Sequence, residues 1–147
     1  MSFKEIKPEE LNFNPFTRIG SDWMLLTAGT EDKFNTMTAS WGGAGVFWGK
    51  PAVTCYIRPQ RYTKEFVESH DCFTLSFYPE EYKKALSLCG SKSGREIDKA
   101  EETGLIPVFD QAASYFEQAS LVLVCKKLYA QPMDPAGVVD KTLNSRW

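Results

Sequence analysis

Residues 23–41 read WMLLTAGTEDKFNTMTASW, and this stretch decides the fold. Residues 23–30 are an apolar run of strand length. Glu31, Asp32 and Lys33 make a polar turn. Residues 35–41 then read as a second strand, so the two runs predict a hairpin. Along the second strand Thr36, Thr38 and Ser40 point to one face, and Asn35, Met37 and Ala39 to the other. Gly42, Gly43 and Gly45 are expected to break it.

Moving downstream, residues 51–57 (PAVTCYI) are a third strand rich in strand formers. Residues 63–69 predict a short helix with Thr63 as N-cap and Phe66 and Val67 facing inward. Residues 72–78 alternate as a fourth strand, and residues 80–88 predict a helix. Residues 90–94 (GSKSG) read as a loop, residues 98–103 as another short helix, and residues 120–130 as a long fifth strand. Upstream, residues 1–20 with Pro8 and Pro15 read as a lead-in with little regular structure. Strands outnumber helices and hairpin links prevail early. The prediction is a mainly β, antiparallel barrel with helical insertions in a single domain, residues 1–147. No GxGxxG follows a first strand and no GxxxxGK[ST] is present, so neither a Rossmann site nor a P-loop is supported.

Composition narrows the function classes. A chain of 147 residues with 43% apolar and 24% charged residues is globular in character. A domain of that length buries roughly 70% of its unfolded surface and needs no staple. A net charge of −2 disfavours nucleic acid as the main partner. His70 is the sole histidine and no CxxC pair occurs, so no zinc pattern exists. Cys55, Cys72 and Cys125 lie in apolar strand-like runs and are expected to be buried small hydrophobes. No signal peptide or membrane span is legible, which predicts a cytoplasmic protein with reduced thiols.

Three segments carry candidate chemistry. The hydroxyls of Thr36, Thr38 and Ser40, ending at Trp41, form a row that can line a polar groove for a ring that donates and accepts. The same alternation also describes an ordinary solvated strand. Arg58, Arg61, Tyr62 and Thr63 stand between a strand and a helix, where two guanidinium forks and a helix start suit a monophosphate. A capped helix with surface arginines reads equally well. Cys89–Gly90–Ser91–Lys92–Ser93–Gly94–Arg95 offers glycines, serines and cations for an anion, or a mobile loop. A hydrolase triad cannot be built on one histidine without a nucleophile elbow.

Taken together, the blocks NTMTASW (35–41), CYIRPQRYTKEF (55–66), SKSGREIDK (91–99) and TGLIPV (103–108) resemble the flavoredoxin-like branch of the flavin reductase family. The resemblance runs over residues 20–145. It implies an FMN-binding split β-barrel and a homodimer with one FMN per subunit near the interface. It implies that Asn35, Thr36, Met37, Thr38, Ala39, Ser40 and Trp41 lie along the isoalloxazine ring. Arg58, Arg61, Tyr62 and Thr63 would surround the ribityl phosphate, and Gly94, Arg95 and Lys99 would belong to the loop closing over the flavin. The implied activity is hydride transfer from NADH or NADPH, as a transient substrate, onto bound FMN, with electrons passing to a flavin, a metal complex or a protein. The flavin carries that chemistry, so no catalytic acid or base is assigned. A non-catalytic FMN-binding module for storage or sensing is the alternative. Relatives continue with a further apolar strand that this chain lacks after Trp147, so the expectation includes a truncated chain or a barrel closed in another way.

Overall fold

The hairpin expected at residues 23–41 forms. In the computed structural model, which describes residues 2–147, β1 (Met24–Gly29) and β2 (Phe34–Ala39) pair antiparallel, Met24 opposite Ala39 through Gly29 opposite Phe34. Gly29 has φ 112° and a Cβ there would collide with the Lys33 carbonyl, so the turn requires glycine.

β3 (Gly42–Phe47) and β4 (Lys50–Cys55) form a separate two-stranded ribbon. The expected break at the glycines is therefore corrected. Gly42, Gly43 and Gly45 stand opposite Cys55, Thr54 and Ala52 in a continuous ladder. Glycine carries no side-chain pattern, so only the pairing with β4 reveals the strand.

Helix α2 (Thr63–Ser69) and β5 (Cys72–Phe77) follow; a preceding one-turn helix, α1 (Pro15–Thr17), runs into a π turn at Arg18–Asp22. The lead-in is thus more ordered than expected, with Ile19 buried in the core. A 3-10 turn at Glu80–Tyr82 leads into α3 (Lys83–Ser91), and α4 (Lys99–Thr103) follows. The helix expected at 80–88 starts and ends three residues later, and passes through Gly90, which the loop reading had excluded. β6 (Pro107–Val108) and β7 (Tyr115–Phe116) make a minimal pair. β8 (Leu121–Lys126) is shorter than the expected 120–130.

The main sheet runs β2-β1-β5-β8, all antiparallel. Its two faces differ. One carries Met24, Leu26, Ala28, Met37, Ala39, Phe73, Leu75 and Phe77, packed with Ile19 and with Phe66 and Val67 of α2. Burying one such Leu or Phe side chain contributes about 1.5–3 kcal/mol. The other face carries Leu25, Phe34, Val122 and Val124 around a central band of hydroxyls from Thr38, Thr36, Thr27, Thr74 and Ser76, and α3 and the 105–119 segment pack on it. β4 and β8 do not pair. Val53, Cys55, Leu123 and Cys125 are only partly buried against the core beside an open trough, so the barrel is split.

Cysteine burial is redistributed relative to expectation. Cys89 on α3 is wholly buried, while Cys55, Cys72 and Cys125 are half-buried at the trough side and sheet end. Burial pushes the Cys55 and Cys89 thiols up to about 11 and Cys125 up to about 12, so all three are inert thiols at neutral pH. Among the described residues no helix is long and apolar enough to cross a membrane, and no group of three or more His, Cys, Asp and Glu could hold a metal ion.

Candidate functional site

The site is built on the end of α3. This helix lies across the hydroxyl face, where Thr38 Oγ1 donates to the Leu86 carbonyl. A Cβ on Gly90 would stand 3.1 Å from Thr38 Cβ, so glycine lets the helix end settle close to β2. The last carbonyls of a helix lack intrahelical donors and sit at its negative end. Here two cations supply the donors. Arg61 Nη1 donates to the Gly90 carbonyl at 2.9 Å, and Nη2 reaches the Cys89 carbonyl at 3.5 Å. Lys99 Nζ donates to the Cys89 carbonyl at 2.8 Å and to the Thr36 carbonyl at 2.7 Å.

Lys99 is 6% exposed, at the first turn of α4, where Asp98 caps the helix by accepting from the Glu101 amide. Among the described residues neither Lys99, Arg61 nor Arg58 has an Asp or Glu carboxylate in salt-bridge range. Burial pushes the Lys99 ammonium down to about 8; the Cys89 thiol partly opposes this and the Arg61 charge adds to it. Burial first, and the Arg58 charge second, lower Arg61 from its ordinary value. An arginine remains charged despite that.

A second knot lies beside the first. Asn35 Nδ2 donates to Thr63 Oγ1 at 2.8 Å, with both side chains buried. A Cβ on Gly94 would strike the Asn35 amide, so the 92–98 loop rests directly on that side chain. Arg95 places its guanidinium 4.4 Å from the Tyr62 ring centroid and pairs with Glu65. Asn35, Tyr62, Thr63, Gly94 and Arg95 thus come together. The N-cap expectation for Thr63 is corrected: Tyr62 holds that position without a side-chain cap, and the Thr63 hydroxyl is spent on Asn35.

The expected open hydroxyl groove does not exist. Thr36 Oγ1 lies 2.8 Å from Thr27 Oγ1 and donates to the Leu26 carbonyl at 3.3 Å, and Thr38 is bonded to α3. Alternation placed these hydroxyls together on one face correctly, but α3 covers that face. Met37 and Ala39 are in the apolar core, Ser40 is half-buried, and Trp41 is exposed. What β2 offers outward is its edge, since among the described residues its only strand partner is β1. Trp147 stacks on Trp41 with ring centroids 6.1 Å apart, and its carbonyl accepts from Arg58 Nε at 3.4 Å. Sequence reasoning missed the Cys89 and Gly90 carbonyls, because a main-chain acceptor has no residue-type signature.

Comparison with known proteins bears on this geometry. Residues 16–139 match a family model described as a flavin reductase like domain. Flavoredoxin of Desulfovibrio vulgaris (Miyazaki F) superposes with a TM-score of 0.67 at 23% identity, over 75% of this chain and 61% of that one. The FMN-binding protein from Thermus thermophilus gives 0.69 at 20% identity, over 90% and 71%. A putative flavin reductase with a split barrel domain from Shewanella frigidimarina gives 0.66 at 17% identity, over 89% and 72%. The chain spans about three fifths of the length of the flavoredoxin it matches. No curated protein sequence matches it. The split-barrel architecture and the family match over residues 16–139 agree with the sequence blocks at 35–41, 55–66 and 91–99, and the chain belongs to the flavin reductase family.

Proposed function

We propose that this domain binds FMN and works as a flavin-reductase-type oxidoreductase. The observation that carries this is the pair Arg58 and Arg61, which has no Asp or Glu partner among the described residues, with Arg61 held at the end of α3 close to β2. Uncompensated guanidinium groups suit a phosphate dianion, because each can offer a planar fork of donors. Two of the five Arg61 N–H groups are engaged by α3, which leaves three for an oxyanion.

The fit at the ring is different from the one the hydroxyl row suggested. The Thr36 and Thr38 hydroxyls are committed inside the protein, so the residues 35–41 would serve through the backbone edge of β2, with Ser40 and Trp41 at its end. Tyr62, Thr63, Gly94 and Arg95 would wall the site from the loop side. When bound, FMN would supply two-electron chemistry, accepting hydride from NADH or NADPH and passing electrons to a flavin, a metal complex or a protein. The chain's own part is to bind, to orient and to exclude water; no side chain is assigned as acid or base.

A homodimer and a cytoplasmic location complete this reading. The β3–β4 ribbon supports the dimer: among the described residues it pairs with no other strand, and it leaves Val46 78% and Trp48 67% exposed, an arrangement that a second copy would cover. Sedimentation gives the mass directly, and a monomer at micromolar concentration removes that part. The main test is the visible spectrum of the purified protein after FMN addition and then NADH or NADPH. Bound flavin bands that bleach with the nucleotide are expected. Bound flavin that stays oxidised leaves a storage or sensing module, and no binding removes the proposal.

A further inference from the structure

One carbonyl oxygen links the buried Lys99 and the half-buried Arg61. The Cys89 carbonyl accepts from Lys99 at 2.8 Å and lies 3.5 Å from Arg61 Nη2, while the adjacent Gly90 carbonyl accepts from Arg61 Nη1. The other bond of Lys99 goes to the Thr36 carbonyl on β2, so its ammonium ties the end of α3 to the sheet. These carbonyls are the acceptors that hold Arg61, and their position sets where its remaining donors point. We infer that Lys99 is a positioning residue for the phosphate-binding arginine: it pins the Cys89 carbonyl to β2, and that carbonyl orients Arg61. The inference rests on the reading of Arg61 as a phosphate ligand.

The chemistry of Lys99 favours a strut over a second phosphate contact. Its side chain is 6% exposed and two of its three N–H donors are spent on carbonyls. A neutral amine has two N–H groups, so losing the proton leaves both bonds available. The groups facing it are Arg61 from the 58–62 loop and Cys89 from α3, whereas β2 presents a carbonyl only. Had Lys99 acted on the phosphate by charge, its effect would vanish as the amine titrates near 8.

The readout is the ratio of riboflavin to FMN dissociation constants, measured by flavin fluorescence in the wild type, Lys99→Met, Lys99→Gln, Arg61→Ala and the Arg61→Ala/Lys99→Met double variant. Lys99→Met is expected to lower the ratio about tenfold, approaching Arg61→Ala, and to lower it little further in the Arg61→Ala background, as groups acting through one unit do. Lys99→Gln keeps two N–H donors and is expected to stay within about threefold of wild type. In the wild type the ratio should stay level from pH 7 to pH 9. A folded Lys99→Met protein with an unchanged ratio overturns the inference, as does additivity in the double variant or a wild-type ratio that falls tenfold with pH. If Lys99→Met does not fold, Lys99→Gln decides, and a loss equal to Arg61→Ala overturns it. Should Arg61→Ala leave the ratio unchanged, the phosphate reading itself falls and this inference with it; a loss in Arg61→Ala alone removes only the role of Lys99.

Discussion

The two faces of the β2-β1-β5-β8 sheet solve burial in opposite ways. The face under α2 is filled by Met24, Leu26, Met37, Leu75 and Phe77 and is held mainly by packing, with one buried hydrogen bond from Asn35 to Thr63 of α2. The face under α3 buries Thr27, Thr36, Thr74 and Ser76, each with a hydrogen-bond partner. Packing is non-directional, so the first face tolerates any covering of the right volume. Hydrogen bonds are directional, and on the second face the one from Thr38 to the Leu86 carbonyl helps fix where α3 sits. The candidate site hangs from the α3 side, on the Cys89 and Gly90 carbonyls that Lys99 and Arg61 hold. Apolar bulk supplies stability here, and the polar band supplies registration.

Truncation on the apolar face should have the largest effect. Leu75→Ala leaves a cavity beside Phe77 and is expected to cost about 3 kcal/mol, read from the urea midpoint, with the flavin affinity of the remaining folded protein little changed. On the polar face, Thr36→Val should cost about 1–2 kcal/mol, because the Thr27 hydroxyl and the Leu26 carbonyl lose a buried partner. Thr27→Val with Thr36→Val should cost clearly less than the sum of the two singles, since removing both hydroxyls leaves no orphan between them. Additive costs would mean that this face behaves like the first.

A third test is a pH dependence. Lys99 sits near 8 in the folded protein, against 10.5 for an ordinary lysine. Between those values the unfolded chain binds more protons, so this residue makes stability rise with pH through that window. Denaturation at pH 7 to 10.5 should show the rise in the difference between wild type and Lys99→Met, which cancels the titration of other groups. A flat difference would show that the ammonium is not held in a costly environment.

Much of the fold was legible in local pattern. The hairpin at 23–41, helix α2 and strand β5 follow from alternation and from turn residues that act within a few positions. β3 was not, because Gly42, Gly43 and Gly45 have no side chains to alternate, and only Cys55, Thr54 and Ala52 opposite them show the ladder. Of the candidate site only residue types were legible: Arg58, Arg61 and Lys99 read as cations in the blocks 55–66 and 91–99. Their work was not, since the partners of Arg61 and Lys99 are main-chain oxygens.

By itself the sequence determined an antiparallel, strand-rich domain, the shared face of Thr36 and Thr38, and the supply of cations, because strand period and charge are properties of neighbouring residues. Only the tertiary structure decided that α3 covers the hydroxyl face, that Lys99 turns inward and that Arg61 leans on a helix end. Those outcomes depend on groups far apart in the chain, 63 residues between Lys99 and Thr36 and 29 between Arg61 and Gly90. Burial and carbonyl direction at such separations are set by how the elements pack, and no local pattern encodes them.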